Sequence, residues 1–262
     1  MMPGGLGATG FHSPTIEDLF PPIFLFDGTP FAMNRIMLVR LILLSVFLLF
    51  AVLYVTRAKV VPGRAQGAFE FILNFCRVNI AEEIMGKTIG RKYAPLITTI
   101  FFTVLFMNIG GIIPGLNMAG TASPGLPLVL AVLAWVAFIY AGLKEQGAGA
   151  FLKSQLFPPG VPWPLYLLLT PIEAISTFVI RPFTLFVRLL ANMISGHFML
   201  ALTLSATNYF VFYAVASLKP MAVLTLFAAL AFTLFEILVA CLQAYIFAIL
   251  TSVYINLSVH AH

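Results

Sequence analysis

Residues 181–197 read RPFTLFVRLLANMISGH, and residues 235–254 read FEILVACLQAYIFAILTSVY. Both strings lie inside long apolar runs, 165–207 and 221–257, which are broken only by single polar or ionisable residues. As helices rising about 1.5 Å per residue, these runs reach roughly 65 and 55 Å, against a hydrocarbon core about 30 Å thick. They read as two strongly tilted helices in an antiparallel hairpin around Ser217-Leu218-Lys219-Pro220. A kink is expected at Arg181-Pro182, because proline supplies no backbone donor. A central arginine costs about 2.5–3.5 kcal/mol in lipid even on lenient insertion scales. Arg188, deep in its run, therefore needs a partner or a water-filled cavity.

The rest of the chain agrees with a membrane setting. Of its 262 residues 61% are hydrophobic and 9% charged, with mean hydropathy +1.04. Soluble domains run near 25% charged, so a water-soluble fold is excluded. The reading is an all-α integral membrane protein with five spanning helices and one amphipathic surface helix. It forms a single membrane domain over 1–262. Residues 1–35 form an outer segment, 36–56 the first span, 57–93 a cytoplasmic segment, 94–143 the second and third spans, and 165–257 the hairpin. Within 65–86, Phe69, Ile72, Leu73, Cys76, Ile80 and Ile84 recur at helical spacing, the pattern of a helix lying on a membrane surface. Arg40 is expected to snorkel from the first span. Residues 57–92 carry seven basic residues and residues 1–34 carry none. The positive-inside rule then places the N-terminus outside and the C-terminus in the cytoplasm. The basic residues report topology, not nucleic-acid binding. There is no phosphate-cradling glycine loop, and Cys76 and Cys241 have no metal-like spacing. No cofactor or metal is expected, and the chain is not expected to be catalytic alone.

Helical phase sorts the polar residues. At about 100° per residue, Arg181, Arg188, Asn192 and Ser195 share one face, and His197 points to the opposite one. Arginine holds a fixed charge, whereas His and Glu exchange protons. In the hairpin, Arg188 with Gln243 and His197 with Glu236 each have their midpoint at the predicted turn. One register therefore gives both pairs a partner. A structural salt bridge is the bland alternative for Arg188. A Ser195–His197 dyad fails, since the two side chains point about 200° apart.

The same strings, an Arg with an Asn four residues on and then small and polar residues, with a Gln in the last helix, resemble subunit a of F-type ATP synthases. The likeness extends over 67–257. It implies that Arg188 is the essential charge facing carboxylates of a rotating c-ring. It also implies that Asn192 and Gln243 neighbour it, that His197, Glu236 and Asn108 line the outer proton path, and that Glu173 is the inner acid; Gln243, Asn192 and Ser195 are expected along the proton path as well. FMNIGGIIPG, 106–115, resembles the family too, and Gly111 stands where some members carry an acid. Implied partners are the c-ring, peripheral-stalk b subunits, other ATP synthase subunits, the lipid bilayer and protons. The implied location is a bacterial plasma membrane. A stand-alone ion channel or secondary transporter is the alternative, and the absence of inverted repeats disfavours it.

Overall fold

A computed structural model describes residues 23–25, 33–59, 61–113, 120–157 and 165–259. Most of the N-terminal segment, Pro114-Gly115 and residues 158–164 of the Pro-rich run lie outside the described residues.

The described chain is helical, apart from two short paired strands that the sequence reading did not include. These are β1 (Ile23–Leu25) and β2 (Met33–Asn34), antiparallel with Ile23 opposite Asn34. Asn34 then caps α1 (Arg35–Arg57), its Oδ1 accepting from the Met37 backbone N–H at 3.0 Å. Five helical stretches are long and apolar enough to cross a bilayer: Arg35–Arg57, Arg64–Ile109, Gly125–Gln146, Tyr166–Phe212 and Met221–Val259. The chain is thus an all-α multi-pass membrane protein.

The second stretch contains the expected surface helix and the second span, separated by a corner. α2 (Arg64–Asn74) runs through a π-helical segment, Phe75–Glu82, into α3 (Glu83–Ile109). The corner is Gly86, at φ 78°, a left-handed conformation that glycine adopts without steric cost. Just beyond it, the chain packs backbone to backbone. A Cβ on Gly90 would lie 2.6 Å from Glu82 Cα and 2.7 Å from the Ala81 carbonyl oxygen.

α4 (Gly125–Gln146) is the third span. α5 (Ala148–Leu156), which the sequence reading left unassigned, tucks under it after the positive-φ Gly147. Gln146 and Gln155 donate to the carbonyls of Ser258 and Leu257 at 2.9 and 3.2 Å. They satisfy acceptors that the last turn of a helix leaves open. The fourth stretch is α6 (Tyr166–Ile175), a π turn at Ser176–Ile180, and α7 (Arg181–Phe212). The π turn sits directly before Pro182, at the expected break. A short 3-10 turn, Ala216–Leu218, leads into α8 (Met221–Val259), 39 residues long. α8 packs on α3, α4 and α7. Ile97, Ile100, Val104, Leu189, Phe247 and Ile255 are buried between these helices. Outward-facing Leu48, Leu49 and Val52 of α1 and Leu234 and Leu238 of α8 stay exposed, as lipid- or partner-facing residues do.

Arg40 departs from the snorkelling expectation. Its Nε and Nη2 donate to the carbonyls of Gly120 and Ser123 at 2.5 and 2.7 Å. The guanidinium thus ties α1 to the connection between α3 and α4. At the opposite end, Lys92 of α3 pairs with Glu145 of α4.

Candidate functional site

The candidate site is built along α7 and α8. Leu185, Leu189, Met193 and His197 recur every four residues and are the buried residues of α7. A four-residue interval keeps side chains on one helix face, so His197 continues the apolar stripe into the bundle. There its Nδ1 lies 2.5 Å from Glu236 Oε1, with side chains 7% and 3% exposed. A hydrogen bond at that separation is short and charge-assisted whenever the pair holds one ionised partner. The other carboxylate oxygen, Oε2, is buried without a hydrogen-bond partner among the described residues. Gly196 makes room for the acid: a Cβ there would be 3.2 Å from Glu236 Oε1. The sequence reading did not single out Gly196. A glycine beside a titratable residue in mid-helix, where glycine costs stability, was the available signal.

Asn192, half-buried, donates from Nδ2 to Gln243 Oε1 at 2.8 Å. Gln243 was expected to contact Arg188, and the structure gives it Asn192 instead, one turn further along α7. Arg188 faces out of the bundle, exposed, with no hydrogen bond or ion pair among the described residues. Ser195 is exposed too, its hydroxyl donating to the Asn192 carbonyl at 3.1 Å. On this outer face an open groove of about 430 Å³ is lined by Val187, Leu190, Ala191, Ile194, Ser195 and Phe198. Arg181 leaves the stripe predicted from phase. Its guanidinium carbon sits 5.7 Å from the Phe138 ring centre and 5.6 Å from that of Tyr254, between α4 and α8.

The remaining candidates stand apart from these. Asn108 is fully buried near the end of α3 and accepts from the Thr121 hydroxyl at 2.6 Å. Thr121 was not foreseen. Glu173 is half-buried on α6, eight residues before Arg181. Between the His197–Glu236 level and the Glu173–Arg181 level, Leu185, Leu189, Ala244, Phe247 and Ala248 are all buried in one apolar cluster.

A family model described as "ATP synthase A chain" matches residues 36–256. The chain belongs to that family. Relatives are described as ATP synthase subunit a. That of Rhodococcus erythropolis is 49% identical over 256 residues, spanning 98% of this chain and 93% of that protein. That of Frankia alni is 37% identical, spanning 96% and 87%, and that of Streptomyces lividans 34%, spanning 97% and 89%. Membership in the subunit a family makes this a membrane component for ATP synthesis and proton transport, with other ATP synthase subunits as partners.

Proposed function

We propose that this chain is the stationary proton-conducting subunit of an F-type ATP synthase, working through two offset half-channels against a rotating c-ring. Peripheral-stalk b subunits hold it still. The reading sets the Arg40–Gly120 end outside and the Lys92–Glu145 end in the cytoplasm. The observation that carries it is the placement of Arg188. This exposed cation is borne on a groove-lined face, between two polar levels that the bundle interior separates with packed apolar side chains.

That arrangement supports a reading in which protons do not cross through the chain itself. The buried layer of Leu185, Leu189 and Phe247 carries no hydrogen-bonding side chain, and the bridge between the two levels is assigned to a carrier outside the chain. A ring carboxyl on a partner suits the task. It takes a proton from the His197–Glu236 side, with Asn108 as a polar lining residue, and crosses the lipid neutral. It then yields the proton on the Glu173 side. Arg188 holds the ionised carboxylate and blocks direct leakage, since its guanidinium never deprotonates at working pH. Asn192, Gln243 and Ser195 line the gap. Each proton crossing 100 mV releases about 2.3 kcal/mol, so several are used per ATP.

The test is proton flux and ATP synthesis in vesicles bearing Arg188→Lys or Arg188→Ala. The expected result is loss of coupled synthesis in both with assembly retained, and passive proton leak in Arg188→Ala. A lysine there loses its proton more readily when desolvated. Near-normal coupled synthesis by Arg188→Ala would sink the mechanism and return Arg188 to a structural role.

A further inference from the structure

Thr121 is fully buried, and its hydroxyl donates to Asn108 Oδ1 at 2.6 Å. It lies outside the helices, in the connection before α4. Thr99, Thr207 and Thr251 show the common alternative, each donating to the carbonyl four residues earlier in its own helix. A local bond of that kind satisfies the hydroxyl without tying it to another element. Thr121 instead reaches a side chain of α3, and its segment is pinned from two sides. Arg40 of α1 holds the carbonyls of Gly120 and Ser123, at 2.5 and 2.7 Å, which bracket Thr121. The Gly120 N–H donates at 3.0 Å to the carbonyl of Met107, the residue before Asn108. Gly120 permits that approach: a Cβ there would lie 2.7 Å from Met107 Sδ and 3.3 Å from Arg40 Cγ. Met107 packs in turn with Val39 and Leu43 of α1. Asn108 is as enclosed as Thr121, and its Nδ2 has no hydrogen-bond partner among the described residues. Leaving a buried donor open costs about 1–3 kcal/mol, a cost that calls for a role.

We propose that Thr121 is a positioning residue for Asn108 in the outer proton path, with Arg40 holding it in place. The inference rests on Asn108 lining that path, as proposed above. A carboxamide carries its acceptor and its donors at opposite ends, so engaging Oδ1 fixes where Nδ2 points. Without the Thr121 bond, the carboxamide turns about its last side-chain torsion, which is broad and soft. Nδ2 then no longer keeps one direction. Thr121 and Arg40 carry no proton. Thr121 sets the orientation of the amide directly, and Arg40 acts at one remove, through the backbone on either side of Thr121.

The test is proton flux in vesicles bearing the assembled ATP synthase, with assembly checked by subunit content. The parent is compared with Thr121→Val, Thr121→Ser, Asn108→Leu and the double variant Thr121→Val with Asn108→Leu. Valine keeps the shape of threonine and removes its donor, whereas serine keeps the donor. Asn108→Leu is expected to slow the flux. Thr121→Val should slow it roughly two- to tenfold, the range for one lost hydrogen bond, and Thr121→Ser should restore it. In the Asn108→Leu background, Thr121→Val should add no further loss, because Thr121 acts only through that amide. Alanine takes the place of valine or leucine in any variant that does not assemble. Unchanged flux in Thr121→Val overturns the proposal. An equal further loss in the Asn108→Leu background also overturns it, since Thr121 would then act on structure alone. Parent-like flux in Asn108→Leu is a separate outcome: it removes Asn108 from the path, and the positioning role goes with it.

Discussion

Glu236 enters the bundle with one carboxylate oxygen on His197 and the other without a partner among the described residues. An acid and an imidazole in such contact exchange a proton readily, and the exchange does not depend on which helix carries which group. His197→Glu combined with Glu236→His is therefore expected to retain measurable proton flux, while either single change slows it. An exchange as inactive as the worse single variant would remove the support for a relay. Asn192 and Gln243 form a neutral amide pair. Removing either leaves the other half-made, so Asn192→Leu and Gln243→Leu should couple by about 0.5–1.5 kcal/mol in a double-mutant cycle read by thermal unfolding in detergent. Additive effects would mean that the bond contributes nothing. The height of these pairs was legible in the sequence, because residues of an antiparallel hairpin share a midpoint. Their azimuth was not. Arg188 and Asn192 are one turn apart and both fit the midpoint to within that turn. The short amide reaches inward to Gln243, and the long guanidinium stays outside.

At the scale of elements, the spans were legible because twenty apolar residues in succession have few other readings. The corners were less so. The expected surface helix ends at Gly86, where φ is 78°, but nothing in the local pattern announced that π-helical Phe75–Glu82 would bring Glu82 against Gly90. That approach comes from tertiary packing, which overrides local preference. It predicts an order of sensitivity. Gly90→Ala puts a Cβ 2.6 Å from the Glu82 backbone, and backbone cannot swing aside as a side chain does. It should destabilise by about 1–3 kcal/mol, the range for overpacking. Gly86→Ala meets open space but must hold φ 78° with ψ 162°, a backbone region essentially reserved for glycine, at about 1–3 kcal/mol. Gly67→Ala, also in open space but helical, should be neutral or slightly stabilising. Thermal unfolding of the three variants in detergent checks the order, and Gly90→Ala melting above Gly67→Ala would contradict it. The placement of α5 was hidden for a similar reason. Gly142 admits Phe151 so closely that a Cβ would lie 2.3 Å from its ring, a fit only the folded chain reveals.

For the whole molecule, direction across the membrane follows from two ties and one charge count. Arg40 joins α1 to Gly120 and Ser123 at one end. Lys92 joins α3 to Glu145 of α4 at the other, where Gln146 also holds the end of α8. These contacts make α1, α3 and α4 alternate in direction and put the end of α8 beside the Lys92 end. They fix the helices relative to one another without saying which end faces the cytoplasm. The charge count gives the expected side, because the seven basic residues of 57–92 fall at the Lys92 end and none falls in 1–34. Basic residues near span ends are retained on the cytoplasmic side, so the Arg40 end should face out. In the proposed mechanism that direction would make His197–Glu236 the outer pair and Glu173 the inner acid. The prediction is read with a membrane-impermeant thiol reagent on a chain with Cys76 and Cys241 replaced. Arg64→Cys should react only from the cytoplasmic side and Ser123→Cys only from the outside. Labelling of Arg64→Cys from the outside alone would invert the chain. The His197–Glu236 pair would then serve proton exit and Glu173 proton entry, with the geometry of the site unchanged.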